Sequence, residues 1–217
     1  MLNRGGVLDV PNVSFVDEDS SVRYLLELDP YNGYEYVDLE LPSGLKWATC
    51  NVGATSPEQA GLYFAWGETT GYTANDVTSG VRTFNSASYT GPYGSKNLTL
   101  EQDAAYVNLG GNWRMPASNE YHELLKNCDA VWTADYNGTG VAGRVFTSKV
   151  NGNSVFFPTA GLCSNSSVIG VGSRSNYWSA SWFSSAYAWF LNFVSGGQGL
   201  SNVNGRYFGY SVRGVCE

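Results

Sequence analysis

Beyond Lys149 the chain has no further lysine, and no carboxylate side chain until the terminal Glu217. It carries instead a period-two alternation broken by glycine and asparagine, as in VFTSKVNGNSVFFP (residues 145–158) and AWFLNFV (188–194). Such runs read as strands, because successive strand side chains point to opposite faces and Asn151-Gly152 suits a tight turn between β-rich flanks. No helix is predicted after Val145, so the last third must be built from hairpins.

The rest of the composition agrees with a weakly charged surface. Charged residues are 14% of the 217, against roughly 25% in ordinary soluble domains, while aromatics are 15%. The surface is therefore expected to consist of Ser, Thr, Asn, Gly and Tyr. The length suits one sizeable domain with a short leader. A net charge of -7 without a basic cluster would repel a phosphate backbone, which argues against nucleic acid as a partner. No apolar run approaches the roughly 20 residues of a membrane span, and Met1-Leu-Asn-Arg has no apolar run behind it to serve as a signal peptide.

Residues 1–33, with the acidic Asp17, Glu18 and Asp19, read as a leader that packs on or links to a main domain over 34–217. YEYVDLEL and GLKWATC alternate around Pro42-Ser43-Gly44 and predict a first hairpin. GLYFAWGE (61–68) reads as a buried strand, and residues 69–96 as a long surface loop. Two helices are expected. The first follows Thr99-Leu-Glu-Gln102, where Thr99 would cap the amide three residues on and Gln102 would reach back, and it ends near Leu109-Gly110-Gly111. The second follows Pro116 and places Tyr121, Leu124, Leu125 and Cys128 on one stripe. These elements make an α+β chain with small antiparallel or mixed sheets, two helices and long irregular loops.

Cys50, Cys128, Cys163 and Cys216 stand far apart, without CxxC or Cys/His spacing, so no zinc site or other metal is expected. Their spacing leaves open both one or two buried bridges and free buried thiols. The single His122 lies beside Glu120 and Glu123 in a helical pattern and reads as a helix-surface side chain. One helical histidine and scattered carboxylates build no set of nucleophile, base and orienter, so neither catalytic residues nor a cofactor are expected.

Seven stretches occur in one order: YVDLELPSGLKWATCNVGA, GLYFAWGE, GGNWRMPASNEYHELL, FPTAGL, NYWSAS, AWFLNF and GYSVRGV. That order, from about Tyr34 to Cys216, resembles a family of bacterial C-type-lectin-like domains distantly similar to the formylglycine-generating enzymes. The ending, NYWSAS, then AW-x-L-x-F, then RY-x-G-x-SVR, is similar to the variable proteins of diversity-generating retroelements, ligand-binding proteins whose C-terminal region is rewritten at adenines. The resemblance implies a C-type lectin-like fold with a variable-type region at about 176–213. It also implies a location on a phage tail or a cell surface. Two departures stand out: Ala117 follows R-x-P where Thr is common, losing a cap worth about 1 kcal/mol unless Ser118 takes over, and Gly214 stands where Pro is often found.

Alternation sorts the last strands into two sets. Trp189, Leu191 and Phe193 share one face and are expected to be core, together with Trp178 and Val212; Ala188, Phe190, Asn192 and Val194 share the other, expected to face outward. Phe190 on that outward face would mark a contact surface. The genetic code supplies a second criterion, since changing the adenines of AAC or AAT codons never yields Trp, Met, Lys, Gln or Glu. Phe183, Ser185, Tyr187, Phe190, Asn192, Val194, Gly197, Gly199, Ser201, Val203, Gly205 and Phe208 all carry reachable residues and form the candidate ligand-binding set. Trp178, Trp182, Trp189 and Gln198 carry unreachable ones and are assigned to the scaffold. Tyr, Phe, Ser, Gly and Asn on such a surface match the chemistry of antibody loops.

Three functions compete. The resemblance to formylglycine-generating enzymes implies paired redox cysteines in a C-terminal segment, but Cys163 and the penultimate Cys216 do not form such a pair. Calcium-dependent sugar lectins resemble one another in Glu-Pro-Asn or Gln-Pro-Asp and Trp-Asn-Asp triplets, none of which occurs here. What is left is a non-enzymatic binder of a macromolecular target on a bacterial or host surface, either diversified or an undiversified adhesion or glycan-binding domain.

Overall fold

A computed structural model describes residues 13–18, 21–26 and 31–217. Within the predicted leader, β1 (Val13–Glu18) and β2 (Ser21–Leu26) form an antiparallel hairpin; residues 1–12, 19–20 and 27–30 lie outside the described residues. Tyr31 begins the body of the fold. Its carbonyl accepts the Trp113 indole N–H at 2.7 Å, and the Asn32 amide donates to the Leu109 carbonyl at 2.6 Å.

The first predicted hairpin is present, with β3 (Tyr36–Asp38) antiparallel to β4 (Lys46–Asn51). Gly44 takes the left-handed conformation its turn requires, at φ 73°, and its N–H closes on Leu41 at 2.8 Å. Asp38 and Lys46 face each other across the ladder and form an ion pair. The last strand, β13 (Arg213–Cys216), returns to the free edge of β4, so this sheet has the order β13-β4-β3.

GLYFAWGE is buried as expected but forms no strand. Tyr63, Phe64, Ala65 and Trp66 are each buried, yet the segment makes only isolated bridges, Tyr63 to Tyr72 and Phe64 to Tyr210. Gly61 and Gly67, both at positive φ, turn the chain at either end and leave too short a run for a ladder. Indole hydrogen bonds replace the missing partners: Trp66 Nε1 donates to the Ser179 carbonyl at 2.8 Å, and Trp178 Nε1 to that of Phe64 at 2.9 Å.

Among the described residues the helices number three rather than two. The added one, α1 (Ala74–Thr78), lies inside the predicted loop and starts from a capping box in which Thr73 Oγ1 accepts from Asp76 N and Asp76 Oδ2 accepts from Thr73 N. It has one buried residue, Val77, and hence no apolar period for a sequence reading to detect. The helix predicted from Thr99 is broken into a 3₁₀ turn (Leu100–Gln102) and α2 (Ala104–Leu109), because Asp103 is extended and caps α2 itself. Gln102 does reach back to Thr99 N, at 3.2 Å, and Gly110 ends α2 at φ 70°. The buried Asp103 carboxylate accepts from Ala105, Tyr106 and Met115; burial nevertheless moves its pKa upward, against those hydrogen bonds.

α3 (Ser118–Asn127) carries the expected stripe, with Tyr121 and Leu124 buried, Leu125 half-buried and Cys128 buried as the first residue of β5. Ala117 contributes no capping hydroxyl, and Ser118 does not supply one. Instead Glu120, gripped by both guanidinium nitrogens of Arg114 at 2.7 Å, accepts from Ala117 N at 2.7 Å, while Ser181 Oγ accepts from Ser118 N. His122 is exposed on this helix, as predicted.

The remaining strands are antiparallel meanders. β5 (Cys128–Thr133), β6 (Gly143–Ser148) and β7 (Ser154–Pro158) form one sheet, and β8 (Leu162–Ser164) with β9 (Ser167–Ile169) a small hairpin. The β6–β7 turn is longer than a two-residue one: Ser148 N bonds to Asn153 O, and the Asn151 and Asn153 amides both donate to the Asp38 carbonyl. The third sheet is β10 (Arg174–Trp182), β11 (Ala188–Val194) and β12 (Gly197–Ser201), with a bulge between Trp178 and Trp182. The architecture of the described residues is mixed α+β, three helices among several small antiparallel sheets. All four cysteines are free thiols, and among the described residues no helix is long and apolar enough to cross a membrane.

A candidate ligand-binding groove on the C-terminal sheet

The sheet β10-β11-β12 has one face covered over its centre. Tyr177, Leu191 and Phe193 pack there with Tyr121 and Leu124 of α3 and with Phe157 of β7. Leu191, Phe193, Trp178 and Val212 are core as predicted, but Trp189 is only half-buried, lying edge-to-face on Phe183 at 5.3 Å. It sits where β11 emerges from the loop 183–187, beside the bulge, so the core does not close over it.

The opposite face is where the sequence reading needs correction. Cross-strand pairing aligns Trp178 with Phe190 and Ser201, Asn176 with Asn192 and Gly199, and Arg174 with Val194 and Gly197. Phe190 does not face outward. It is 1% exposed, enclosed by Trp178 at 5.7 Å and Tyr210 at 5.1 Å between ring centroids, and Ala188 on the same face is also buried. The reason is the returning segment 205–212, which runs back over this end of the sheet and seats Tyr210 on Trp178 at 4.1 Å. Alternation assigned the face correctly and could not see what covers it.

Past Phe190 the face opens into a groove of about 360 Å³. It is lined by the predicted Asn192, Val194, Gly197, Gly199, Ser201 and Val203, with Phe190 at its inner end. Val194 is 48% and Val203 73% exposed. Gly197 and Gly199 leave the floor as bare backbone, with open space where side chains would stand. The groove also draws on residues that the sequence reading missed, namely Arg174 and Asn176 from β10, Leu162 from β8, and Asn204; Gln198, assigned to the scaffold, lies on its rim. Reading NYWSAS in register against AWFLNF would have placed Asn176 beside Asn192. At the inner end, Asn204 Nδ2 donates to the Tyr210 hydroxyl at 2.6 Å. Burial raises the Tyr210 pKa well above that of a free phenol, while hydrogen bonds from Asn204 and Asn176 and the charge of Arg174 oppose the shift.

The other candidates lie elsewhere. Phe183, Ser185 and Tyr187 are exposed on the loop between β10 and β11, and Tyr187 lines a separate cavity of about 200 Å³ with Tyr89, Tyr93 and Tyr207. Gly205 is buried beside it rather than displayed, and a side chain there would strike the Tyr207 ring. Phe208 is half-buried, stacked on Tyr207 at 4.8 Å and packed against the core.

Buried arginines hold this region, and each binds carbonyl oxygens instead of carboxylates. Arg206, 1% exposed, lies 4.2 Å over the Trp66 ring and donates to the carbonyls of Pro92 and Gly94, each at 2.7 Å, and to that of Ser184. Arg144 donates to Val194 O at 2.7 Å and to Ser195 O, fixing the β11–β12 turn. Arg213 donates to Asn51 Oδ1 and to the carbonyls of Ala48, Thr49 and Phe156. Two of the three are the arginines of the RY-x-G-x-SVR stretch, which ties residues 92–94 and 184 to one another and β4 to β7; of the three, Arg144 is the one that reaches the groove wall.

The groove offers carboxamides, a hydroxyl, bare peptide groups, two valines and one guanidinium, with no His, Cys, Asp or Glu among its lining residues. That chemistry suits holding a ligand and supplies no general base or thiolate nucleophile. Among the described residues no group of three or more His, Cys, Asp or Glu could hold a metal ion. Comparison with protein-family models, with curated proteins and with solved structures returned no match to this chain.

Proposed function

We propose that this protein is a non-enzymatic ligand-binding protein with a C-type lectin-like fold, of the diversified kind found with retroelements, whose C-terminal groove recognises a macromolecular target on a bacterial or host surface. The observation carrying this reading is convergence. Six residues that adenine-directed change can reach, scattered from Asn192 to Val203, line one open groove with the unreachable Gln198 among them, while the unreachable Trp178 lies in the core beneath it. A changeable surface carried on a packed core is what a diversified binder needs. A location on a virion tail or cell surface follows from the same resemblance and belongs to the proposal.

A second reading, an undiversified glycan-binding domain, draws on the tyrosine-lined cavity, where Tyr93 is 65% and Tyr187 41% exposed. Sequencing around the coding locus separates the two. A near-copy of the final codons beside a reverse-transcriptase gene, differing only at adenines and at the groove codons, supports the first; differences scattered over codons 178 and 190 as well, or no copy, overturn it.

A further inference from the structure

We propose that the groove takes an acidic peptide segment, with Arg174 as the residue that reads its carboxylate. The inference deepens the binding function proposed above and rests on it.

The argument begins with charge. Between Val150 and Cys216 the only ionic side chains are Arg174, Arg206 and Arg213. Arg206 and Arg213 are buried and committed to carbonyl oxygens, as described. Arg174 is exposed at the open end of the groove, paired in register with Val194, and its guanidinium makes no ion pair or side-chain hydrogen bond among the described residues. Among the described residues, a chain with net charge -7 thus presents a single free cation in this groove and lines it with no carboxylate. An arginine with its fork of donors free matches a carboxylate in two parallel hydrogen bonds.

The walls decide which macromolecule brings the carboxylate. A saccharide site relies on an open ring to receive the sugar face, and both rings at the inner end of this groove, Phe190 and Tyr210, are sealed at 1% and 0% exposure. What stands open is peptide-like: valines to receive aliphatic side chains, Asn192 and Asn204 to pair both donors and acceptors of a main chain, and a glycine floor that admits a backbone closely.

The test is selection of random octapeptides by mRNA display on the purified protein, repeated on Arg174→Gln, Arg174→Glu and Gly199→Trp. Gly199 has open space about it, so the last variant fills the groove without disturbing packing; thermal melting of each variant checks that it folds. Expected are winners enriched in Asp or Glu, bound about 10- to 100-fold more weakly by Arg174→Gln, and a switch to Lys or Arg among winners on Arg174→Glu. Winners without acidic residues, or acidic winners indifferent to Arg174→Gln, overturn the charge proposal while leaving the groove as a binding site if Gly199→Trp abolishes them. Winners indifferent to Gly199→Trp overturn the groove reading itself. A parallel glycan array in which sialylated glycans bind and no peptide is selected assigns the wrong macromolecule here and overturns the proposal.

Discussion

One face of one sheet has two ends with opposite fates. At the inner end Trp178 and Phe190 lie under Tyr210, sealed from water; three residues along the same strands Asn192, Val194 and Gly197 stand in the open groove. The strands, the pairing and the alternation are continuous across the boundary. What differs is the cover: the returning segment 205–212, with Phe64 and Trp66 packed in the same cluster, closes one end and leaves the other open. Whether a strand residue belongs to the core or to a contact surface is therefore decided by a neighbour that its own periodicity does not encode.

The largest test of that contrast is Phe190→Ala, which should cost about 3–5 kcal/mol in denaturant unfolding as a large ring leaves a closed core. A cost no greater than that of Val194→Ala would break the distinction between the ends. Next comes Arg206→Ala, which strips the guanidinium from the carbonyls of Gly94 and Ser184 and leaves Pro92 with the Tyr89 hydroxyl alone, and should cost about 2–4 kcal/mol. Amide exchange should rise in residues 184–187 and stay unchanged in β12. Arg206→Lys should recover little, since an ammonium cannot span three diverging carbonyls.

The closed core as a whole should also show itself in alkali. Burial pushes the Cys163 thiol up to about 12 and the Cys128 thiol up to about 11, and raises the Tyr210 phenol as well. These groups bind their protons more tightly folded than unfolded, so their contribution is fully present below the ordinary thiol value of 9.0 and is lost as pH climbs toward the folded values. Stability should fall by roughly 4 kcal/mol from the two thiols alone between pH 9 and 11, and Cys163→Ala should flatten that slope. Native alkylation at pH 8 should reach the half-buried Cys50 before the other three thiols. The smallest effects belong to the open end, where Asn192→Ser, Val194→Ala, Ser201→Ala and Val203→Ser should each change unfolding free energy by no more than about 0.5 kcal/mol. Losses above 2 kcal/mol at two of these positions would show that the groove is held by its own walls.

Much of the scaffold was legible from local pattern. The β3–β4 and β6–β7 hairpins follow from alternation and turn residues, and α3 from the spacing of Tyr121, Leu124, Leu125 and Cys128. The failures share a tertiary cause. The helix expected from Thr99 breaks at Asp103 because that carboxylate also serves Met115, twelve residues away. The burial of Phe190 is not encoded locally because Tyr210 reaches it through a segment tied in only by isolated bridges, Phe64 to Tyr210, Cys163 to Gly209 and Tyr177 to Ser211. Gly205 was counted as free because nothing local announces the Tyr207 ring against it. Arg174 and Asn176 escaped notice because they enter the groove through strand register. The buried arginines were invisible for a plainer reason: arginine is ordinarily a surface residue, and the oxygens that receive these three come mostly from the main chain of distant segments.

That choice of partner has a bearing on inheritance. A carbonyl oxygen is the one acceptor that every amino acid carries, proline and glycine included, so Arg206 and Arg144 recognise where the loops run and are indifferent to which residues they contain. Substitutions in residues 183–187 and 194–196 pass unnoticed by the clamp, whereas an inserted or deleted residue moves the oxygens themselves out of reach. The loops are thus constrained in length and unconstrained in spelling.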